Sequence, residues 1–208
     1  MSRLLSHTRI SLRILVLCLI PMLALVFVGA RMLTAEWTAA REAGDVARVV
    51  GLAPVISGLV HELQKERGTS AGFLGAKGAK FRDDLAARRA ETDRAFAVFR
   101  TALPEASGAL AFPGFARPFE AARTGLDRLA ATRAGVDGLT APVVEVAGFY
   151  SQVIGDLLAM VESVVAITDD GHVVRSLTAY GALLGEKERA GQERAMGAAG
   201  FGAGAFAG

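Results

Sequence analysis

The chain is predicted to be all-α, an amino-terminal transmembrane helix followed by an antiparallel helical bundle, and three features of its 208 residues predict this. Residues 14–30 form an unbroken apolar run of seventeen residues, within the ~17 to 25 that a helix needs to cross a bilayer. Beyond it, apolar residues recur at steps of three and four, the spacing of one helix face. Runs of alternating β-branched residues joined by an Asn-Gly or Asp-Gly hairpin, the mark of paired strands, are missing.

Arg3, Arg9 and Arg13 precede the apolar run, and only Arg31 follows closely. The positive-inside rule then places residues 1–13 in the cytoplasm and everything after residue 30 outside it, on the periplasmic side of a bacterial inner membrane. Pro21 is tolerable in such a helix. A cleaved signal peptide ending at Val28-Gly-Ala30 is the rival reading, but the run exceeds the ~7 to 15 residues usual for one, and residues 32–48 continue it as helix.

The first exported helix begins near Leu33 or Asp45, carries the stripe Leu52, Ile56, Leu59, Leu63, Arg67, Ser70 and Leu74, and stops in Gly75-Ala-Lys-Gly78. The second runs from Phe81 to Leu103, with Phe81, Leu85, Arg88, Thr92, Phe96, Phe99 and Leu103 on one face, and Pro104 ends it. Pro113, Gly114 and Pro118 mark a loop before a third helix over residues 119–134. Thr140 and Pro142 start a fourth, which is apolar over a wide arc from Val143 to Ile167 and is the expected core helix. The last begins near His172 with the stripe Val173, Leu177, Tyr180, Leu184, Lys187, Gly191, Arg194, Ala198 and Phe201. Residues 31–200 are thus one helical domain, and residues 201–208 a glycine-rich tail, poor as helix.

Composition excludes several functions. Cys18, the only cysteine, lies in the apolar run, so no disulfide, CxxC metal site or exposed catalytic thiol is available. His61 and His172 stand alone, no cluster has metal-ligand spacing, and no nucleophile motif such as GxSxG occurs. No enzyme, cofactor or metal is expected. The arginines are scattered among acids, which argues against nucleic acid.

Arg67 and Arg194 are the informative residues. Each interrupts an apolar stripe, and neither has a carboxylate three or four positions away on its own helix. Arg88, Arg123 and Arg189 do have such acids and read as solvated pairs. Two guanidiniums in one apolar seam cost several kcal/mol each in desolvation, with a repulsion of roughly 3 kcal/mol at about 6 Å and an effective dielectric near 20. A small planar oxyanion between the helices could accept forked hydrogen bonds from both, with Thr69, Ser70 and Tyr180 as neutral donors. The alternative is a structural or dimerisation bundle in which Glu66 or Glu193 crosses the interface to pair the opposite arginine. Both readings stand at this level.

At these residues the chain resembles the nitrate- and nitrite-sensing (NIT) domain family. The likeness is carried by Leu63-Gln-Lys-Glu-Arg-Gly-Thr-Ser-Ala-Gly-Phe-Leu74, by Arg89 to Asp93, and by Lys187-Glu-Arg-Ala-Gly-Gln-Glu-Arg-Ala195, in order and spacing. The resemblance implies an all-helical domain binding nitrate or nitrite at Arg67 and Arg194, with Arg189 as an alternative because Lys187-Glu-Arg-Ala190 echoes Lys65-Glu-Arg-Gly68. It implies the input part of a membrane chemoreceptor or other signalling receptor, partnered by a small inorganic anion, by the membrane through residues 14–30, and by a second copy of the chain. Such domains normally run on into further helix and a second span, so the resemblance also implies a truncated domain.

Overall fold

The computed structural model describes residues 10–103, 113–165 and 171–204. Among them there are only helices: α1 (Ile10–Gly75), α2 (Arg82–Ala102), α3 (Pro113–Asp127), α4 (Leu129–Asp137), α5 (Val143–Val165) and α6 (Gly171–Ala203). The chain divides into two units, Met1–Gly44 and Asp45–Gly208.

In the first unit the apolar stretch extends further than residues 14–30. Leu17–Thr38 is long and apolar enough to cross a membrane, with a mean hydropathy of 2.1 and no part of it buried. Leu33 and Trp37 prolong the apolar surface past Arg31, and the Arg41 guanidinium lies over the Trp37 ring. Val143–Ser163 passes the same test of length and composition, but it forms the centre of the second unit, where Tyr150, Ile154, Leu157 and Met160 are fully buried.

The second unit is the helical bundle. Every residue of the stripe expected on α1, from Leu52 to Leu74, is buried, Arg67 and Ser70 included. The helix ends in a left-handed cap: Lys77 and Gly78 have positive φ, Gly78 N–H donates to Phe73 O and Lys77 N–H to Leu74 O. Leu85, Thr92 and Phe99 form the buried face of α2. Phe81, expected to open that helix, sits before it in the left-handed region and is exposed.

Two elements differ from expectation. Pro113 and Pro118 belong to α3 rather than to a loop. Proline suits the first helical position, and Pro118 removes only one bond, to the carbonyl of the exposed Gly114. The single helix expected over residues 119–134 is instead α3 and α4, broken at Arg128, whose guanidinium lies over the Phe149 ring of α5. Pro104 and the expected end of the core helix at Ile167 fall outside the described residues.

The glycine-rich end is the other correction, because α6 continues helical to Ala203. Packing overrides propensity there. A Cβ on Gly202 would lie 2.6 Å from Gly72 O, and one on Gly75 would strike the Ala199 carbonyl, so the backbones of α1 and α6 cross at a distance only glycine permits. Gly202→Ala is therefore expected to destabilise the bundle by roughly 1–3 kcal/mol despite its better helix propensity. Gly185→Ala, with nothing within 4 Å of the new methyl, should stabilise by up to about 1 kcal/mol. Urea denaturation of the two variants checks the opposite signs.

Candidate functional site

Arg67 is fully buried on α1, at 0% exposure. Its Nη1 donates to Ser151 Oγ of α5 at 2.7 Å and to Glu188 Oε1 of α6, and its Nη2 donates to Glu188 Oε2 at 3.3 Å. Glu188 is itself 7% exposed and also accepts from Gln64 Nε2 (2.8 Å) and Gln192 Nε2 (2.9 Å). One carboxylate thus ties α1 to α6. The guanidinium is not saturated, since Arg67 Nε is buried without a hydrogen-bond partner.

Arg194 does not meet Arg67 inside the bundle. It is exposed, with Nε on Ala190 O at 3.4 Å along its own helix. The buried face of α6 is Leu177, Leu184, Glu188, Gly191 and Ala195. The expected stripe shares Leu177, Leu184 and Gly191 with it, but took a step of three to Lys187 and to Arg194 where the helix buries the residues at steps of four. Both steps fit a period of 3.6. The choice falls to Glu188, which can neutralise Arg67, and to the small Ala195, which admits α1.

Gly191 touches Arg67 on one side and shares a groove with Arg194 on the other. A Cβ there would be 2.7 Å from Arg67 Nη2, and Gly191 also lines a groove of about 870 Å³ between α1 and α6. That groove is walled by His61, Lys65 and Thr69 on α1, by Arg88 on α2, and by Lys187, Glu193 and Arg194 on α6. Four permanent cations and one carboxylate line it, and one of the four, Lys65, is already paired with Glu62 at 2.9 Å. His61 feels them: its pKa is lowered from its ordinary value first by burial, then by Lys187 and Lys65, while Glu62 raises it by more than Arg194 lowers it. Lys187 Nζ lies 3.1 Å from His61 Nδ1.

The other expected contributors divide. Thr69 lines the groove, its hydroxyl donating to Lys65 O at 3.0 Å. Ser70 is buried beside the Tyr150 hydroxyl without a well-formed hydrogen bond. Tyr180 packs half-buried against the apolar core. Arg189 is exposed and paired with Glu186, as its flanking acids suggested, and Arg123 is likewise paired with Glu120. Arg88 departs from the solvated pair expected of it, because it is a half-buried wall of the groove.

Glu66 does not cross to Arg194. It is fully buried and anchors a separate network. Arg133 donates to it through Nε (2.7 Å) and Nη2 (2.9 Å), and Tyr150 OH donates at 2.7 Å. Arg133 Nη1 reaches Asp93, and Arg89 Nη1 reaches Asp137, both outward toward water. Burial by itself would lower the Arg133 pKa, but the hydrogen bonds and charge of Glu66, with those of Asp93, outweigh it and raise it. Burial and the Glu66 carboxylate push the Tyr150 phenol up. Nothing local in the sequence marks Arg133; only the position of Glu66, three after Leu63 and four before Ser70, hints that its face is covered. Glu66→Gln leaves Arg133 short of a counter-charge in a half-buried site, with an expected loss of about 3–5 kcal/mol, visible as a lower Tm by circular dichroism.

The match to known proteins falls on the same helices. Residues 58–208 match the model of the family described as nitrate and nitrite sensing. The chain is 36% identical over 155 residues to the nitrate regulatory protein of Klebsiella oxytoca, covering 74% of this chain and 39% of that protein. Its fold is similar to the NasR transcription antiterminator, with a TM-score of 0.76 and 32% identity over 86% of this chain and 49% of the other. The chain therefore spans less than half the length of the relatives it matches. They are a regulatory protein and a transcription antiterminator, which corrects the expectation of a membrane chemoreceptor's input part; an antiterminator also stands against excluding nucleic acid for such proteins as a whole. The α1 and α6 motifs, the all-helical bundle and the matched residues together show that this chain belongs to the nitrate- and nitrite-sensing (NIT) family.

Proposed function

We propose that the chain senses nitrate or nitrite as the input part of a regulatory protein, binding the anion in the groove between α1 and α6. Arg194 holds it from the groove side, with Lys187 and Thr69 at hand, and Arg67 offers the unfilled edge formed by Nε and Nη2 beside Gly191. The observation that carries this reading is the charge of the groove: Arg88, Lys187 and Arg194 against Glu193, with Lys65 paired to Glu62 and a buried arginine behind the wall. A planar oxyanion suits two guanidiniums because each can donate a pair of parallel hydrogen bonds.

The exposed apolar helix Leu17–Thr38 supports a tether to a bilayer, with the basic residues before it on the cytoplasmic side and the helical domain beyond the other face. The full chain is then expected to stay in the membrane pellet after carbonate extraction, and release into the supernatant would overturn the tether.

Arg194→Ala should lose roughly 1.5–3 kcal/mol of nitrate binding, about tenfold or more in affinity, by calorimetry on the full chain. Equal affinity in the variant and the natural chain would defeat the site. A bound anion offsets the cations that hold His61 down, so the His61 pKa rises on binding. By linkage, nitrate then binds more tightly as pH falls through the His61 titration. An NMR titration of the imidazole with and without nitrate reads the shift directly.

The Arg67–Glu188 pair favours a second reading, a structural bundle whose arginines are satisfied from within. It predicts a Tm that ignores added nitrate at constant ionic strength.

A further inference from the structure

Glu188 is placed as an anion in the position an anionic ligand needs. Its carboxylate oxygens take both Nη groups of Arg67, it is almost wholly buried, and its two further donors, Gln64 and Gln192, come from α1 and α6. The bond to Nη2 is the longer of its two to Arg67, at 3.3 Å. Nη2 is also the atom that abuts Gly191, a residue of the groove wall, while the neighbouring Nε has no acceptor at all.

We propose that Glu188 sets the affinity of the anion site: it holds Arg67 through Nη1 and Nη2, and its charge opposes nitrate or nitrite on the neighbouring Nε–Nη2 edge. The inference rests on the sensing role proposed above and adds a residue to it. Two negative charges on one guanidinium repel each other, even though each takes its own N–H groups. Anion binding and the Glu188 clasp are therefore coupled against one another, and the coupling is reciprocal. Because Gln64 and Gln192 hold the same carboxylate, loosening Glu188 also loosens the polar tie between α1 and α6. Glycine at 191 completes the arrangement, since any side chain there would push Nη2 away from the groove wall.

The test is calorimetry with sodium nitrate on the full chain, at fixed ionic strength made up with sodium chloride, comparing the natural protein with Glu188→Gln, Glu188→Asp and Arg194→Ala. Glutamine keeps the shape and removes the charge, so Glu188→Gln is expected to bind nitrate about tenfold more tightly or better. Aspartate keeps the charge on a shorter arm, and Glu188→Asp should tighten binding by less. It also serves if the glutamine variant does not fold. Unchanged or weaker binding in the folded variants, while the natural chain binds and Arg194→Ala does not, overturns the role of Glu188 and leaves the sensing role intact. Absence of nitrate binding in every folded variant overturns both.

Discussion

A fully buried arginine on α1 is the constraint around which the second unit is arranged. An unpaired guanidinium in the interior is too costly to persist, so some other element must bring it a carboxylate. That element is α6, and Glu188 is the residue. Once Glu188 faces α1, the register of the whole helix follows: Gly191 must sit against Arg67, Ala195 against the seam, and Ala199 and Gly202 against Gly75 and Gly72. Lys187 and Arg194 are thereby turned outward, into the groove. The same rotation that neutralises the interior charges the groove wall.

Glu66 poses the mirror problem one residue earlier on the same helix. It is a buried anion, and it is answered by Arg133 of α4 and Tyr150 of α5, with Arg89 of α2 close by at 3.8 Å. The two adjacent residues of α1 thus face in different directions and recruit different helices. Glu66 fastens α1 to the α2, α4 and α5 side through a network whose outer members, Asp93 and Asp137, are solvated. Arg67 fastens it to α6 through Glu188, whose other donors, Gln64 and Gln192, are neutral. Buried ion pairs contribute little net stability compared with apolar packing, but breaking one by removing a partner is costly.

Family membership and geometry bear on different questions. The match over residues 58–208 and the likeness to a nitrate regulatory protein and to the NasR transcription antiterminator identify the kind of domain. They do not dictate how Arg67 is held when no anion is bound. The arrangement of Glu188, Ser151 and Gln64 around it is a property of this chain's own packing.

The α1 stripe was legible from sequence because its apolar residues are large and continuous, and the burial of Arg67 and Ser70 followed from their place in it. The α2 face, the core helix α5 and the glycine cap after Gly75 were readable for similarly local reasons: spacing, breadth of apolar arc and turn residues. The face of α6 was not. Its small and charged residues fit a step of three or a step of four equally well, so periodicity alone could not choose between Lys187 and Glu188 or between Arg194 and Ala195. Likewise nothing near Arg133 in the chain reveals that a buried carboxylate sixty-seven positions away needs it. By itself, then, the sequence determined the helical class, the stripe of α1 and the kinship of its motifs, because these depend on neighbours in the chain. Only the tertiary structure decided which charge answers which, because desolvation is settled by what one helix presents to another.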